Sequence, residues 1–488
     1  MKPSTDVRSP QPHPALWSGL ADGRDRRTHP TPALTCPPDD ASLLTDLYQL
    51  TMTACYVGEG LAERPASFEL FTRRLPDGFG YLIAMGLAQA LDYLEHFHFT
   101  SAQVEALKAT GIFTQAPAAF WDLLLEQRFT GTVWAVAEGT AIAANEPLLR
   151  IEAPLWQAQL VETYLLNTLN YQTLIATRAA RMRDAAGDGA TLLEFGTRRA
   201  FGPQASLLAA RAALAAGFDA TSNVLAALQL GQKPAGTMAH ALVMALAATE
   251  GSESEAFAAF HHYFPGAPLL IDTYDAIAAA ERLATQRQPG DPPLMGVRLD
   301  SGDLLTQSQR IRQLLPDVPI LASGDLDEYR IAELRAAGAC IDGYGLGTQL
   351  VTGVPVNGVY KLVEIDGIPV MKESTGKVTY PGRKQIFRQS DDRGQVIGDR
   401  LGLLSEVADP TAPWTAGQPG EQPLLQLVMQ QGQRLQPPES LATIAQRTRQ
   451  SVTHLPTAVR DLQSPVPLTV TPSLALQTLV AETRQSSA

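Results

Sequence analysis

GVRLDSGDL (296–304) carries the pattern that decides the fold. An apolar run through Val297 and Leu299 reads as a buried strand, and Asp300, Ser301 and Asp303 cannot follow it into a core. Leu304, Ile311 and Leu315 then share one face of a helix. The same succession of apolar run, polar cluster and helix-like stretch recurs at GTMAH (236–240), IDTYD (271–275), ASGDLD (322–327) and GYGLGT (343–348). The strands are expected at 191–195, 234–237, 268–271, 295–299, 319–322 and 339–342. Strand–helix alternation at this spacing predicts an α/β fold with parallel pairing and right-handed crossovers. In an α/β barrel the carboxyl ends of the strands share one rim, where ligands bind. One active site assembled from many segments is therefore expected.

Around this core, residues 64–75 read as a strand, 81–96 as a helix, 129–152 as a small β layer and 156–186 as a long helical stretch. LLTDLYQLTMTACYV (43–57) reads as a helix capped by Ser42 or Thr45, with Leu47, Leu50 and Met52 buried. After Val359 the pattern returns to β. Residues 1–40 hold eight prolines and no apolar h-region, which predicts a disordered leader rather than a secretory signal. Four regions are expected: the leader (1–40), an N-terminal α+β part (41–155), the α/β part with the rim (156–360), and a C-terminal β and helical part (361–488) packing on the N-terminal one.

The 488 residues carry 38 Lys and Arg against 50 Asp and Glu, a net charge of −12. A nucleic-acid partner is not expected of so acidic a chain. An anionic ligand must be captured by local donors. No apolar run approaches the ~18 residues of a membrane helix. The three cysteines, Cys36, Cys55 and Cys340, show neither disulfide nor metal spacing, which predicts a reducing, cytoplasmic setting.

Several clusters can carry chemistry. The three glycines of GYGLGT let backbone N–H groups converge on an oxyanion, with the Thr348 hydroxyl beside them. An ordinary tight turn reads the same way. Arg298, near a strand end, suits bidentate capture of a carboxylate or phosphate, or an ion pair with Asp300 or Asp303. Asp272 and Asp300, at strand ends, suit sugar hydroxyls or hydrated Mg²⁺, whereas Asp303 and Asp327 read better as helix caps. His240 precedes a helix, where it can carry a transferred phosphoryl group or be a hydrogen-bonded structural group. Phe195 offers an aromatic face, and Arg198 and Arg199 cationic forks. Tyr48 alone reads as core. Lys372, Lys377, Arg383, Lys384 and Arg388 form the one dense positive run, either a solvated loop or a polyphosphate clamp.

Taken together, LLTDLYQLTM, FELFTRR, EFGTRRAFGP, GFDATSNV, GTMAHALVMA, LIDTYD, GVRLDSGDL, SGDLDE, GLGTQLVT, VYKLV and GKVTYPGRKQIFR, in this order over about residues 41–485, resemble the nicotinate phosphoribosyltransferase family. The resemblance implies an irregular α/β barrel of the type II phosphoribosyltransferase kind, with a smaller α+β domain built from the N-terminal and C-terminal regions. It implies homodimers with active sites at the subunit interface. The reaction it implies joins nicotinate and phosphoribosyl pyrophosphate into nicotinate mononucleotide and pyrophosphate for NAD salvage, coupled to ATP hydrolysis with Mg²⁺.

By the same resemblance, Tyr48 and Phe195 sandwich the pyridine ring, with Tyr48 from the partner subunit. Thr237, Arg298 and Ser222 contact nicotinate. Arg198, Ser323, Gly324, Gly347 and Thr348 hold phosphoribosyl pyrophosphate. His240 becomes phosphorylated, and Asp272 and Asp300 serve ribose or metal. Thr72, Ala220 and Ala241 depart from the family pattern, as does KESTGK (372–377), without removing a residue given a role. The rival expectations are a nicotinamide or quinolinate phosphoribosyltransferase, a catalytically silent homologue, and a sugar-phosphate aldolase or isomerase. The last wants a lysine or glutamate at a strand end, which the strands at 268–342 do not offer.

Overall fold

The computed structural model describes residues 36–126, 128–286, 293–374, 377–407 and 420–487. Six short strands form a wholly parallel sheet in the order Ala220–Thr221, Thr191–Glu194, Gly343–Leu346, Ile320–Ala322, Val297–Leu299, Leu269–Leu270. Helices Pro203–Ala215, Ala276–Gln286, Leu304–Leu314 and Glu328–Ala336 alternate with the strands. The two end strands do not pair with each other. The result is an irregular α/β barrel. Val297, Leu299, Ile320 and Leu346 are fully buried, so the apolar runs do drive the strands inward. Asp303 caps its helix by accepting from the Leu305 and Thr306 N–H groups, and Asp327 accepts from Arg330 N–H.

Two expected barrel strands are placed differently. Residues 234–237 form no strand. Pro234 has no N–H to give a ladder, and the Ala235 N–H donates to Thr221 O at 2.9 Å. The strand neighbouring Thr191–Glu194 is instead Ala220–Thr221. The last strand is not 339–342 but Gly343–Leu346, within GYGLGT itself. Its glycines serve packing: a Cβ on Gly345 would lie 2.5 Å from the Phe195 ring, and one on Gly343 2.7 Å from Leu321.

The smaller domain is built from distant parts of the chain. Its seven-stranded antiparallel sheet runs Ile368–Pro369, Gly358–Ile365, Pro65–Thr72, Pro147–Pro154, Thr132–Val136, Leu425–Gln430, Gln433–Arg434. A four-stranded sheet (Gly420–Pro423, Lys384–Ser390, Val396–Leu403, Val470–Pro472) joins it, and helix Leu474–Ser487 packs on Val396–Leu403. Helix Glu162–Ala186 runs against barrel helices Pro203–Ala215 and Glu328–Ala336. On it Arg181, almost fully buried, donates to Glu328 at 3.0 Å and lies 4.6 Å from the Phe79 ring. Buried Arg211 makes a bidentate pair with Glu138 at 2.9 and 2.7 Å. Removing one partner of such a pair strands a charge away from water.

Residues 1–35 of the expected leader lie outside the described residues. Ordered structure is under way by Pro38, where a 3₁₀ turn (Pro38–Leu43) begins and buries Ser42. Helix Leu47–Gly58 follows with Asp46, not Ser42 or Thr45, at its N-cap position. Asp46 holds Thr163 instead of the helix end, its carboxylate accepting from Thr163 Oγ1 at 2.9 Å. Leu50 is buried as expected, whereas Leu47 is exposed.

Glu146 is wholly buried before strand Pro147–Pro154, accepting from Ala143 N–H at 2.7 Å. It faces Asp399, which is already paired with Arg388 at 3.0 and 2.7 Å. Burial, then the Asp399 charge, pushes the Glu146 pKa well above the ordinary carboxylate range. The folded state thus holds this proton more tightly than the unfolded chain does. Its stabilisation is complete below the unfolded carboxylate pKa near ~4.3 and is lost as pH rises toward the folded value. Glu146→Gln supplies a neutral donor in the same shape. It should raise the melting temperature by ~1–3 °C at pH 8, with the gain shrinking toward pH 4 in thermal scans.

Candidate active site

Strand Val297–Leu299 turns Val297 and Leu299 inward, and alternation puts Arg298 on the other face. The Arg298 side chain is 15% exposed. Nη1 donates to Thr237 Oγ1 at 2.7 Å and to the Met238 carbonyl at 3.3 Å. Nη2 donates to Asp300 at 3.4 Å. The guanidinium carbon lies 5.8 Å from the Phe195 ring centroid, within cation–π range. Buried Nε has no protein partner. Burial lowers the Arg298 pKa and neighbouring Arg198 adds to this, against the pull of Asp300 and Asp272. An arginine so placed stays charged. Arg298 is thus ion-paired with Asp300, and its Nε remains a spare donor.

Beside it is a layer of carboxylates and hydroxyls. One oxygen of Asp272 accepts from Asp300 N–H at 2.7 Å and from Ser301 Oγ at 2.9 Å. The other is buried without a protein partner. Ser323 Oγ donates to Asp300 at 2.6 Å. Gly324, at φ +91°, lets the turn after Ile320–Ala322 lie against Asp300, since a Cβ there would meet the Asp300 carbonyl at 2.1 Å.

Phe195 follows strand Thr191–Glu194. Its N–H donates to Leu346 O at 2.7 Å, and its ring lies over Gly345. Ser222 N–H donates to Glu194 O at 2.9 Å, which holds Ser222 level with Phe195. Gly347 and Thr348 open the short helix Thr348–Val351 at the end of the neighbouring strand. His240 opens helix His240–Glu250, with Nδ1 3.0 Å from Thr273 Oγ1. Arg198 is exposed in the turn after Phe195.

The structure thus joins Phe195, Thr237, Arg298, Asp300, Asp272 and Ser323 by direct contacts, sets Ser222 and Thr348 just past neighbouring strands, and places His240 at a helix start against Thr273. Sequence reasoning missed Thr273 and Ser301, whose only signal is a hydroxyl directly after each strand-end aspartate. It also missed Glu194.

Tyr48 is not brought to this cluster within the chain. It is 47% exposed on helix Leu47–Gly58, and its charged neighbours are Glu162 and Asp46. Burial raises its pKa.

The clamp expected of the basic run is corrected. Lys384–Ser390 is a strand, so Lys384 and Arg388 share one face with buried Ile386. Lys384 is buried, ion-paired with Glu69 at 2.8 Å and donating to the Tyr380 and Gly382 carbonyls. Burial lowers its pKa. Arg383 pairs with Glu364 at 3.1 Å and Glu152 at 3.5 Å. Lys372 is exposed, and the Lys377 side chain lies outside the described residues. Among the described residues no group of three or more His, Cys, Asp or Glu gathers to hold a metal, no disulfide links the cysteines, and no helix is long and apolar enough to cross a membrane.

The chain is similar to known proteins in sequence and in fold. Family models of nicotinate phosphoribosyltransferase match over residues 43–170 (N-terminal domain), 190–322 and 383–480 (C-terminal domain). A nicotinate phosphoribosyltransferase of Mycobacterium tuberculosis is 41% identical over 433 residues, covering 86% of this chain and 89% of the relative. That of Bacillus subtilis is 42% identical, covering 75% and 77%. The crystal structure of human nicotinic acid phosphoribosyltransferase superposes with a TM-score of 0.75 at 32% identity, over 90% of this chain and 99% of the human one. The motifs, the barrel and the relatives agree, and the chain belongs to the nicotinate phosphoribosyltransferase family.

Proposed function

We propose that this chain joins nicotinate to phosphoribosyl pyrophosphate, releasing nicotinate mononucleotide and pyrophosphate in NAD salvage. The observation that carries the reading is Arg298, a largely buried guanidinium whose buried Nε is a spare donor beside the face of Phe195. A flat aromatic acid meets both demands, its ring against Phe195 and its carboxylate on Arg298. Thr237, bonded to the same guanidinium, completes the carboxylate's surroundings.

The pyridine nitrogen is neutral and nucleophilic at pH 7, so no general base is needed. What the chain supplies is position and field. Holding the ring nitrogen in line with the anomeric carbon removes the entropy cost of the encounter. That carbon passes through an oxocarbenium-like state, next to the carboxylates of Asp272 and Asp300. The unpartnered Asp272 oxygen is an acceptor for a ribose hydroxyl. Asp272 and Asp300 also fit Mg²⁺ arriving with the substrate, being hard oxygen donors too few to form a cage. When bound, Mg²⁺ neutralises charge on the departing pyrophosphate. Arg198, Ser323, Gly324, Gly347 and Thr348 offer the donors for the phosphates of the activated sugar.

ATP is the co-substrate in this reading. A phosphoryl group on His240 sits at a helix N-terminus, which favours an anion, and biases the neighbouring substrate turns toward tight binding. The exposure of Tyr48 fits a homodimer in which its ring reaches the pocket of a second copy. Ser222 sets the choice of pyridine: a carboxylate there would repel nicotinate and accept from an amide.

Incubation with nicotinate, phosphoribosyl pyrophosphate and Mg²⁺, with and without ATP, tests the reading. Mononucleotide should form fastest with nicotinate and be stimulated by ATP; turnover of nicotinamide or quinolinate alone would overturn it. Arg298→Ala should lower kcat/KM for nicotinate by ~10²-fold. Ser222→Asp should lower it by ~10-fold or more and narrow the preference over nicotinamide in competition assays. His240→Ala should keep a slow ATP-independent reaction and lose ATP stimulation. Intact coupling in that variant would remove His240 from the scheme.

A further inference from the structure

Glu194 ends its strand directly before Phe195 and is fully buried. Among the described residues no Lys, Arg or His pairs with it. One carboxylate oxygen accepts from Gly196 N–H, the other from the Thr221 hydroxyl. Its backbone carbonyl accepts from Ser222 N–H at 2.9 Å, and Thr221 Oγ1 accepts from Asn223 N–H at 2.9 Å. Burial raises its pKa, and the two donors pull the other way. A buried carboxylate without a cation is costly, and a neutral side chain would fill the space more cheaply. What this one provides is a pair of acceptors aimed at two separate turns. One turn is anchored at Gly196, directly after Phe195 and ahead of the exposed Arg198; the other holds Ser222. The first has no slack: a Cβ on Gly196 would meet Val351 at 2.2 Å and Glu194 itself at 2.9 Å.

We infer that Glu194 is a positioning residue for the pyridine ring, fixing the spacing between the aromatic face of Phe195 and the wall at Ser222. This rests on the reading that Phe195, Ser222 and Arg298 surround nicotinate. Glu194 touches no reacting atom. It ties together the two turns that carry Phe195 and Ser222, and this lowers the ordering cost of binding.

The test separates ring binding from general damage. Glu194→Ala should raise the KM for nicotinate by ~10–30-fold, with the KM for phosphoribosyl pyrophosphate within about twofold and kcat within about threefold of the parent. Glu194→Gln should return the nicotinate KM to within about threefold, because its amide still accepts from Gly196 and can donate to Thr221. Thr221→Val removes one donor at constant volume and should raise the nicotinate KM by ~3–10-fold, which keeps the question open to measurement if the alanine variant does not fold. A joint rise of both KM values, a fall in kcat alone, or no rescue by glutamine would overturn the inference. Arg298→Ala serves as the reference. If it raises the nicotinate KM while Glu194→Ala and Thr221→Val do not, only the positioning role falls; if it does not, the pocket reading itself falls.

Discussion

Everything at the rim is organised around one incompletely satisfied charge. The Arg298 guanidinium is largely withdrawn from water and held by the Thr237 hydroxyl, the Met238 carbonyl and one distant carboxylate oxygen. A buried cation with spare donors favours an anion that fits the remaining space. The neighbouring turns look like the supports such a charge needs. Asp300 is steered by Ser323 and by the hydrogen bond its own backbone N–H donates to Asp272, and Gly324 lets two turns touch there. The carboxylates keep the arginine from being a naked positive site while leaving it donors to use.

This arrangement also reconciles an acidic protein with anionic ligands. With a net charge of −12, the long-range field does not draw phosphates in. Capture is left to short-range groups, which act over less than the ~8–10 Å on which salt screens exposed charges. Some of the positive charge is held internally. Lys384, Arg388, Arg181 and Arg211 are all buried against carboxylates. They tie the small sheets and the barrel helices together and are not free for ligands.

What the sequence made legible was the succession of clusters, because polarity at a strand's end is a local consequence of burying what precedes it. Asp272, Arg298 and Asp300 could be placed on one rim from that rule alone. What it concealed depends on partners far along the chain. GYGL looked like a loop because glycine leaves no apolar signature. Gly345 is explained by the Phe195 ring 150 residues earlier, and Gly343 by Leu321 and Thr191, partners that no short window of sequence contains. The run from Arg383 to Arg388 looked like a charged loop because Glu69 and Asp399, which neutralise it, lie elsewhere. Tyr48, read as core from its setting in an apolar helix, is exposed. Glu194 gave no hint, since a lone acid at a strand end is indistinguishable from any other until its two donors are seen.

The seven-stranded sheet has a consequence for how the molecule comes into being. Strand Pro65–Thr72 lies between Pro147–Pro154 on one side and Gly358–Ile365 on the other. The second neighbour is translated ~290 residues after the first strand, an interval of roughly 15–60 s at ordinary elongation rates. Through that time the nascent chain carries an open, apolar β edge while the barrel between the two strands is still being made. Such an edge invites pairing with other chains. The N-terminal part is thus born dependent on its own C-terminal half, and chaperone protection during synthesis matters more to this architecture than to one whose sheets close in order.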